Sequence, residues 1–162
     1  MQGIDKYRRL YKAIGYTFTN EALLEQALTH RSAAKQHNER LEFLGDAILG
    51  MIVGETLFKR FTTVPEGKLT RMRSTLVKGD TLAELAKEAS VGELLNLGPG
   101  ELKSGGHRRS SILADVMEAV IGAVYLEGGL DSAAAVVDNL LHEEWESIDP
   151  ALLVKDPKTE LQ

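Results

Sequence analysis

The sequence predicts an all-α protein. Three observations carry this reading. Apolar residues recur at helical spacing, i, i+3, i+4 and i+7, through nearly every long segment. No segment sustains the period-two alternation of a half-buried strand. Gly15, Pro65, Gly67 and Gly128-Gly129 punctuate the periodic segments. At 162 residues with 43% hydrophobic content, the chain can bury one core, so a single domain is expected.

The elements follow in order. Ile4, Tyr7, Leu10, Tyr11 and Ile14 form an amphipathic helix that Gly15 breaks. Asn20 caps a short helix carrying Leu23, Leu24, Ala27 and Leu28. The longest helix is expected from about Asn38 to Phe61, with Leu41, Leu44, Ile48, Met51 and Ile52 as its apolar stripe. Pro65 and Gly67 punctuate before a basic helix with Leu69, Met72, Leu76 and Val77. Thr81 and Glu84 read as a capping box for a helix through about Ala89. Residues 90–110 read as loop. Ser110 or Ser111 starts a strong helix to about Leu126, which Gly128-Gly129 ends. Asp131 begins a last helix reaching roughly Ser147. Beyond Pro150 the chain turns polar and reads as a linker.

Composition excludes some chemistry. With no cysteine there is no disulfide, thiolate metal site or cysteine nucleophile. No 18-residue apolar run and no signal-peptide core near Met1 is visible, so the expected location is the cytoplasm, without a membrane. The net charge of −5 argues against a nucleic-acid partner, but its distribution softens the objection. Lys59, Arg60, Lys68, Arg71, Arg73 and Lys78 share one stretch whose only acid is Glu66. Lys103, His107, Arg108 and Arg109 form a second basic stretch, rich in glycine.

The most informative run is His37 to Asp46. Glu39, Glu42 and Asp46 fall within roughly 60° of one another on a helix, to one side of the apolar stripe. A second pair, Asp115 and Glu118, shares a face beside the small residues Ala119 and Gly122, which would let another helix come close. Such acids make either a solvated face or an all-oxygen metal site of the kind that suits Mg²⁺ or Mn²⁺. The spacing leaves both open. His30, His37, His107 and His142 have no metal-like spacing and read as surface or capping groups. No P-loop and no Gly-x-Ser-x-Gly setting is present. Trp145 reads as a packing residue. Phe43 projects away from Leu44 and Ile48, as a lone exposed ring or a contact with a partner chain.

His37 to Asp46 resembles the signature of the ribonuclease III family. Ala27-Leu28-Thr29-His30-Arg31-Ser32, Pro65-Glu66-Gly67, Leu97-Gly98-Pro99-Gly100-Glu101 and the run from Ser110 to Glu118 resemble the same family, in the same order. The resemblance implies an all-helical endonuclease domain over 1–149 that works as a homodimer on double-stranded RNA. It also implies a linker and the start of a missing double-stranded-RNA-binding domain over 150–162. Glu42, Asp46, Asp115 and Glu118 would be the catalytic metal ligands, and Glu39 and Glu66 auxiliary acids of the active centre. Phe43 would plug into the other subunit. Mg²⁺ is the implied cofactor, with Mn²⁺ able to substitute and no organic cofactor. Staggered ends with 5′-phosphate and 3′-hydroxyl are the implied products, in rRNA and other RNA processing. Candidate RNA contacts are Asn38, Arg71, Arg73, Lys103, Arg108 and Arg109. Two rivals remain: an all-α Mg²⁺-dependent nucleotide pyrophosphohydrolase, and a non-catalytic helical dimerisation or RNA-scaffolding module.

Overall fold

Helical periodicity becomes eight α-helices in the computed structural model, which describes residues 6–149. The expectations for Ile4 and for 150–162 lie outside the described residues. Helix α1 (Arg8–Ile14) buries Leu10, Tyr11 and Ile14 and ends at Gly15, whose φ of 69° is left-handed. Helix α2 (Glu21–Ala27) is capped as expected: Asn20 Oδ1 accepts the Ala22 N–H at 3.1 Å. Helix α3 (Glu39–Arg60) is the long acidic one. Helix α4 (Glu66–Val77) follows Pro65, and α5 (Gly79–Glu88) follows directly.

The expected capping box at Thr81 is corrected. Helix α5 starts at Gly79, with Lys78 at its cap, and the Thr81 hydroxyl donates instead to the Thr75 carbonyl at 3.2 Å, tying α5 back to α4. The segment read as loop is also corrected. It holds 3-10 turns at Val91–Leu94 and Gly106–Arg108, and a short helix α6 (Pro99–Lys103) with Pro at its first position. Among the described residues, extended pairing is limited to one parallel bridge, Thr29 with Asn96.

Helix α7 (Ser110–Leu140) runs through the middle of the bundle and is interrupted at Gly129 (φ 83°, ψ −178°), where the sequence places a stop. A bend at Leu141 separates it from α8 (His142–Ser147), so the last expected helix divides in two. Val116, Met117, Val120, Ile121 and Val124 are fully buried beneath α3 and α5. Among the described residues α7 is the one helix long and apolar enough to cross a membrane, yet those apolar side chains form the interior of the bundle. Trp145 is buried, as expected of a packing residue. Met51 departs from the expected stripe: it is half exposed, because the buried face of α3 turns through Ile48, Leu49, Ile52 and Val53 instead.

One carboxylate holds the turn before α2. Glu127 accepts hydrogen bonds from the Tyr16 hydroxyl at 2.6 Å and from the Thr19 and Asn20 amides at 2.8 Å each. Burial alone would raise its pKa. The three donors outweigh that and leave it below the usual carboxylate range.

Candidate active site

The site begins with two glycines. A Cβ on Gly45 would collide with the backbone carbonyl of Glu118, and one on Gly122 with the carbonyl of Leu41. Helices α3 and α7 therefore cross with their backbones in contact, closer than any side chain allows. Glu42 and Asp46 flank Gly45, and Glu118 lies one turn before Gly122. The crossing thus sets acids from both helices side by side.

Glu42, Asp115 and Glu118 each offer a carboxylate oxygen within 4.8 Å of the other two. Burial pushes the Glu118 carboxyl up to about 8, aided by its hydrogen bond to Asp46 and by the charges of Asp46, Asp115 and Glu42. Burial also pushes Glu42 up to about 7, with Asp115, Glu39 and Asp46 adding to the rise. Asp115 is raised by burial too, against the opposing effects of a hydrogen bond from Glu42 and the nearness of His30. Near neutral pH Glu42 and Glu118 therefore retain protons in part. Like charges this close need a positive species between them. Among the described residues no Lys or Arg is ion-paired to any of the four. An all-oxygen donor set with raised carboxyls and no Lys or Arg partner fits a hard divalent cation.

The structure sorts the remaining expected residues. Asp46 is exposed and joins the cluster through Glu118. Glu39 is exposed beside it and pairs with His37 at 3.6 Å. Glu66 lies apart from the cluster, in a separate hollow with Gly54, Leu57, Phe58 and Arg73. Asn38 is 4% exposed, and its amide donates to the Ala27 carbonyl at 3.0 Å, so it braces the start of α3 at the edge of the hollow that it helps to line. Arg73, Lys103 and Arg108 are exposed, and Arg71 is half-buried. Arg109 is exposed but paired with Glu101 at 3.0 Å. Phe43 is 80% exposed, and Phe58 and Met51 follow along the same helix at 71% and 50%.

Glu39, Glu42 and Asp115 line a hollow of about 770 Å³. The rest of its lining includes His30, Arg31, Ser32, Glu101 and Arg109 from two connecting segments, of which only Arg109 was among the expected contacts. Helical spacing carries no information about such residues. The one signal was that Thr29-His30-Arg31-Ser32 and Gly98-Pro99-Gly100-Glu101 belong to the family resemblance.

The family model described as Ribonuclease-III-like matches residues 20–144. The chain belongs to the ribonuclease III family. It is 54% identical to Ribonuclease 3 of Shewanella amazonensis over 162 residues, all of this chain and 72% of that protein. It is 55% identical to Ribonuclease 3 of Vibrio cholerae over 154 residues, 95% of this chain and 68% of that one. The nuclease domain of ribonuclease III from Campylobacter jejuni shares its fold with a TM-score of 0.83 at 39% identity, covering 92% of this chain and 100% of that domain. Dicer from Pichia stipitis is more distant, with a TM-score of 0.68 at 29% identity over 87% of this chain and 63% of that one. By sequence and by fold, then, the chain is a ribonuclease III endonuclease of all-α architecture, and the acid cluster is its candidate metal centre.

Proposed function

We propose that the protein is a Mg²⁺-dependent endoribonuclease that hydrolyses phosphodiester bonds in both strands of double-stranded RNA. The observation that carries this reading is the meeting of Glu42, Asp115 and Glu118, with Asp46 attached through Glu118, at a backbone-close helix crossing inside a ribonuclease III fold. Those four acids would hold the metal, which when bound activates water and stabilises the leaving 3′-oxygen. Mn²⁺, with the same preference for oxygen ligands, would substitute.

The chain's own residues do the rest. Glu42 and Glu118 give up their protons when the cation arrives, converting the cluster to four carboxylates. Glu39 adds negative charge at the rim and strengthens the field on the cation. Arg73, Lys103 and Arg108 project into solvent and can meet the phosphates of an A-form duplex, supplying affinity without reading bases. Arg71 is half-buried and Arg109 is paired with Glu101, so both contribute less. Hydrolysis by water needs no side-chain nucleophile and leaves a 5′-phosphate and a 3′-hydroxyl.

The exposed stripe of Phe43, Met51 and Phe58 supports a homodimer through α3, with Phe43 inserted into the second subunit. Glu66 lies with Phe58 in the hollow beside that stripe, so it would act at the dimer face and not in the four-acid cluster. One site per subunit would then cut one strand each and leave staggered ends. With the apolar residues of α7 packed inside and relatives drawn from bacterial ribonucleases, the cytoplasm is the location we assign, with roles in rRNA and mRNA processing.

The test compares substrates. With Mg²⁺ the protein should cut a long RNA duplex to short fragments bearing 5′-phosphates, and EDTA should stop it. Hydrolysis of nucleoside triphosphates with an intact duplex would move the assignment to a pyrophosphohydrolase. Duplex binding without cleavage at any Mg²⁺ or Mn²⁺ concentration would move it to a scaffolding module.

A further inference from the structure

His30 stands in the hollow beside the acids, and the reading of the site above gives it no role. Its backbone is pinned on both sides. Its N–H donates to the Asn96 carbonyl at 3.0 Å, and its carbonyl accepts the Ala33 N–H at 2.9 Å. Its ring is pinned as well. The Ser32 backbone N–H donates to His30 Nδ1 at 3.1 Å, and the Ser32 hydroxyl lies 2.8 Å from the same atom. A backbone N–H can only donate, so Nδ1 is a bare acceptor. The Ser32 oxygen in turn accepts the Gly98 N–H at 2.9 Å, which directs the hydroxyl proton to Nδ1. The ring hydrogen therefore sits on Nε2.

Among the described residues no protein acceptor takes that Nε2–H. The Nδ1 edge is turned into the 30–32 turn, and the opposite edge is left to the hollow that His30 lines with Glu42 and Asp115. The tie to Gly98 is specific. A Cβ there would run into the Ser32 carbonyl, so the 30–32 turn and the start of α6 are in direct backbone contact. Three backbone groups and one hydroxyl thus hold an imidazole in one tautomer and one orientation, with a single donor unspent, next to acids that cannot accept a phosphate by themselves.

We propose that His30 is a substrate-binding residue whose Nε2–H donates a hydrogen bond to a non-bridging phosphate oxygen of the RNA strand lying at the acid cluster. This rests on the endonuclease reading above and adds a substrate contact to it. The hollow also holds Arg31 and Arg109, the latter paired with Glu101, and beside Glu39, Glu42 and Asp115 a further fixed donor helps a backbone anion approach.

The experiment uses the full chain with a short RNA duplex, single-turnover cleavage in Mg²⁺, and duplex binding in Ca²⁺. Removing the donor with His30→Leu should lower the cleavage efficiency about 10- to 100-fold, the range of one hydrogen bond to a charged group. His30→Gln, whose amide N–H reaches roughly where Nε2–H does, should recover most of the loss. Nitrogen-15 NMR of the metal-free wild type should show the ring hydrogen on Nε2. A His30→Leu variant that is folded by circular dichroism and cleaves like wild type overturns the proposal. So does a His30→Gln variant as impaired as His30→Leu, or a ring carrying its hydrogen on Nδ1. A wild-type protein that cuts no duplex at all overturns the endonuclease reading instead, and the NMR result then stands on its own.

Discussion

Gly45 sits against the backbone carbonyl of Glu118, with no room between them for a methyl group. That contact brings a carboxylate-bearing turn of α3 onto a carboxylate-bearing turn of α7. The geometry of the acid cluster therefore depends on a residue that carries no functional group. Gly45→Ala should separate the helices, cost about 1–3 kcal/mol or more from overpacking, and lower cleavage further than stability, because the acids no longer converge. Thermal denaturation read beside cleavage rate checks both. A variant with wild-type Tm and wild-type cleavage would show that the crossing is looser than the structure has it.

The raised carboxyls of Glu42 and Glu118 make metal-free stability fall with pH. Glu42 and Glu118 have folded pKa values of about 7 and about 8, above the ordinary carboxylate value. The folded state thus binds more protons than the unfolded chain between about pH 4.5 and 8. A raised carboxyl stabilises fully below its unfolded pKa, and that contribution is lost as pH rises through the folded value. In EDTA the Tm should drop by about 4 °C between pH 5.5 and 8.5, and saturating Mg²⁺ should flatten the fall. A metal-free Tm that rises across this window would contradict the assignment.

Much of this was legible in the chain, for a physical reason. A 3.6-residue period reports which face of a helix is buried, so α3, α7 and their acid rows could be read from residue types alone. The small residues Ala119 and Gly122 beside Asp115 and Glu118 announced the close approach of another helix. Other features depend on what a residue meets across space. Asn38 is buried because Ala27 offers it a carbonyl, and Met51 is exposed because α3 turns its face through Leu49 and Val53. The helix over Gly79–Glu88 starts at a turn packed on α4, not at its best capping residue. His30 reads as an isolated histidine until the Ser32–Gly98 contact folds it into the wall.

The α3 stripe should govern association. Phe43→Ala should weaken the dimer at least about 10-fold, the loss expected for an exposed aromatic anchor, with Phe58→Ala adding to it. Sedimentation equilibrium gives the constants. Wild-type protein that stays monomeric at high micromolar concentration would leave this face without its proposed partner.

The exposed cations should set the salt response. Arg73→Ala should weaken duplex binding and reduce the slope of log affinity against log salt by about 1, as for one lost phosphate contact. Arg71→Ala should do less, because its Nε is buried. Equal slopes in wild type and Arg73→Ala would put the RNA path elsewhere on the surface.

The most direct test of the account is calorimetric titration of Mn²⁺ into the metal-free wild type and Glu118→Gln at pH 7.5, in buffers of different ionisation enthalpy. The wild type should bind the ion and release protons as it does so, because Glu42 and Glu118 must ionise to ligate it. Glu118→Gln should keep its fold, bind at least about 10-fold more weakly and release fewer protons. Wild-type protein that binds no Mn²⁺, or a Glu118→Gln variant that binds it with the same affinity and proton release, would mean that the acids of α3 and α7 do not form a metal centre.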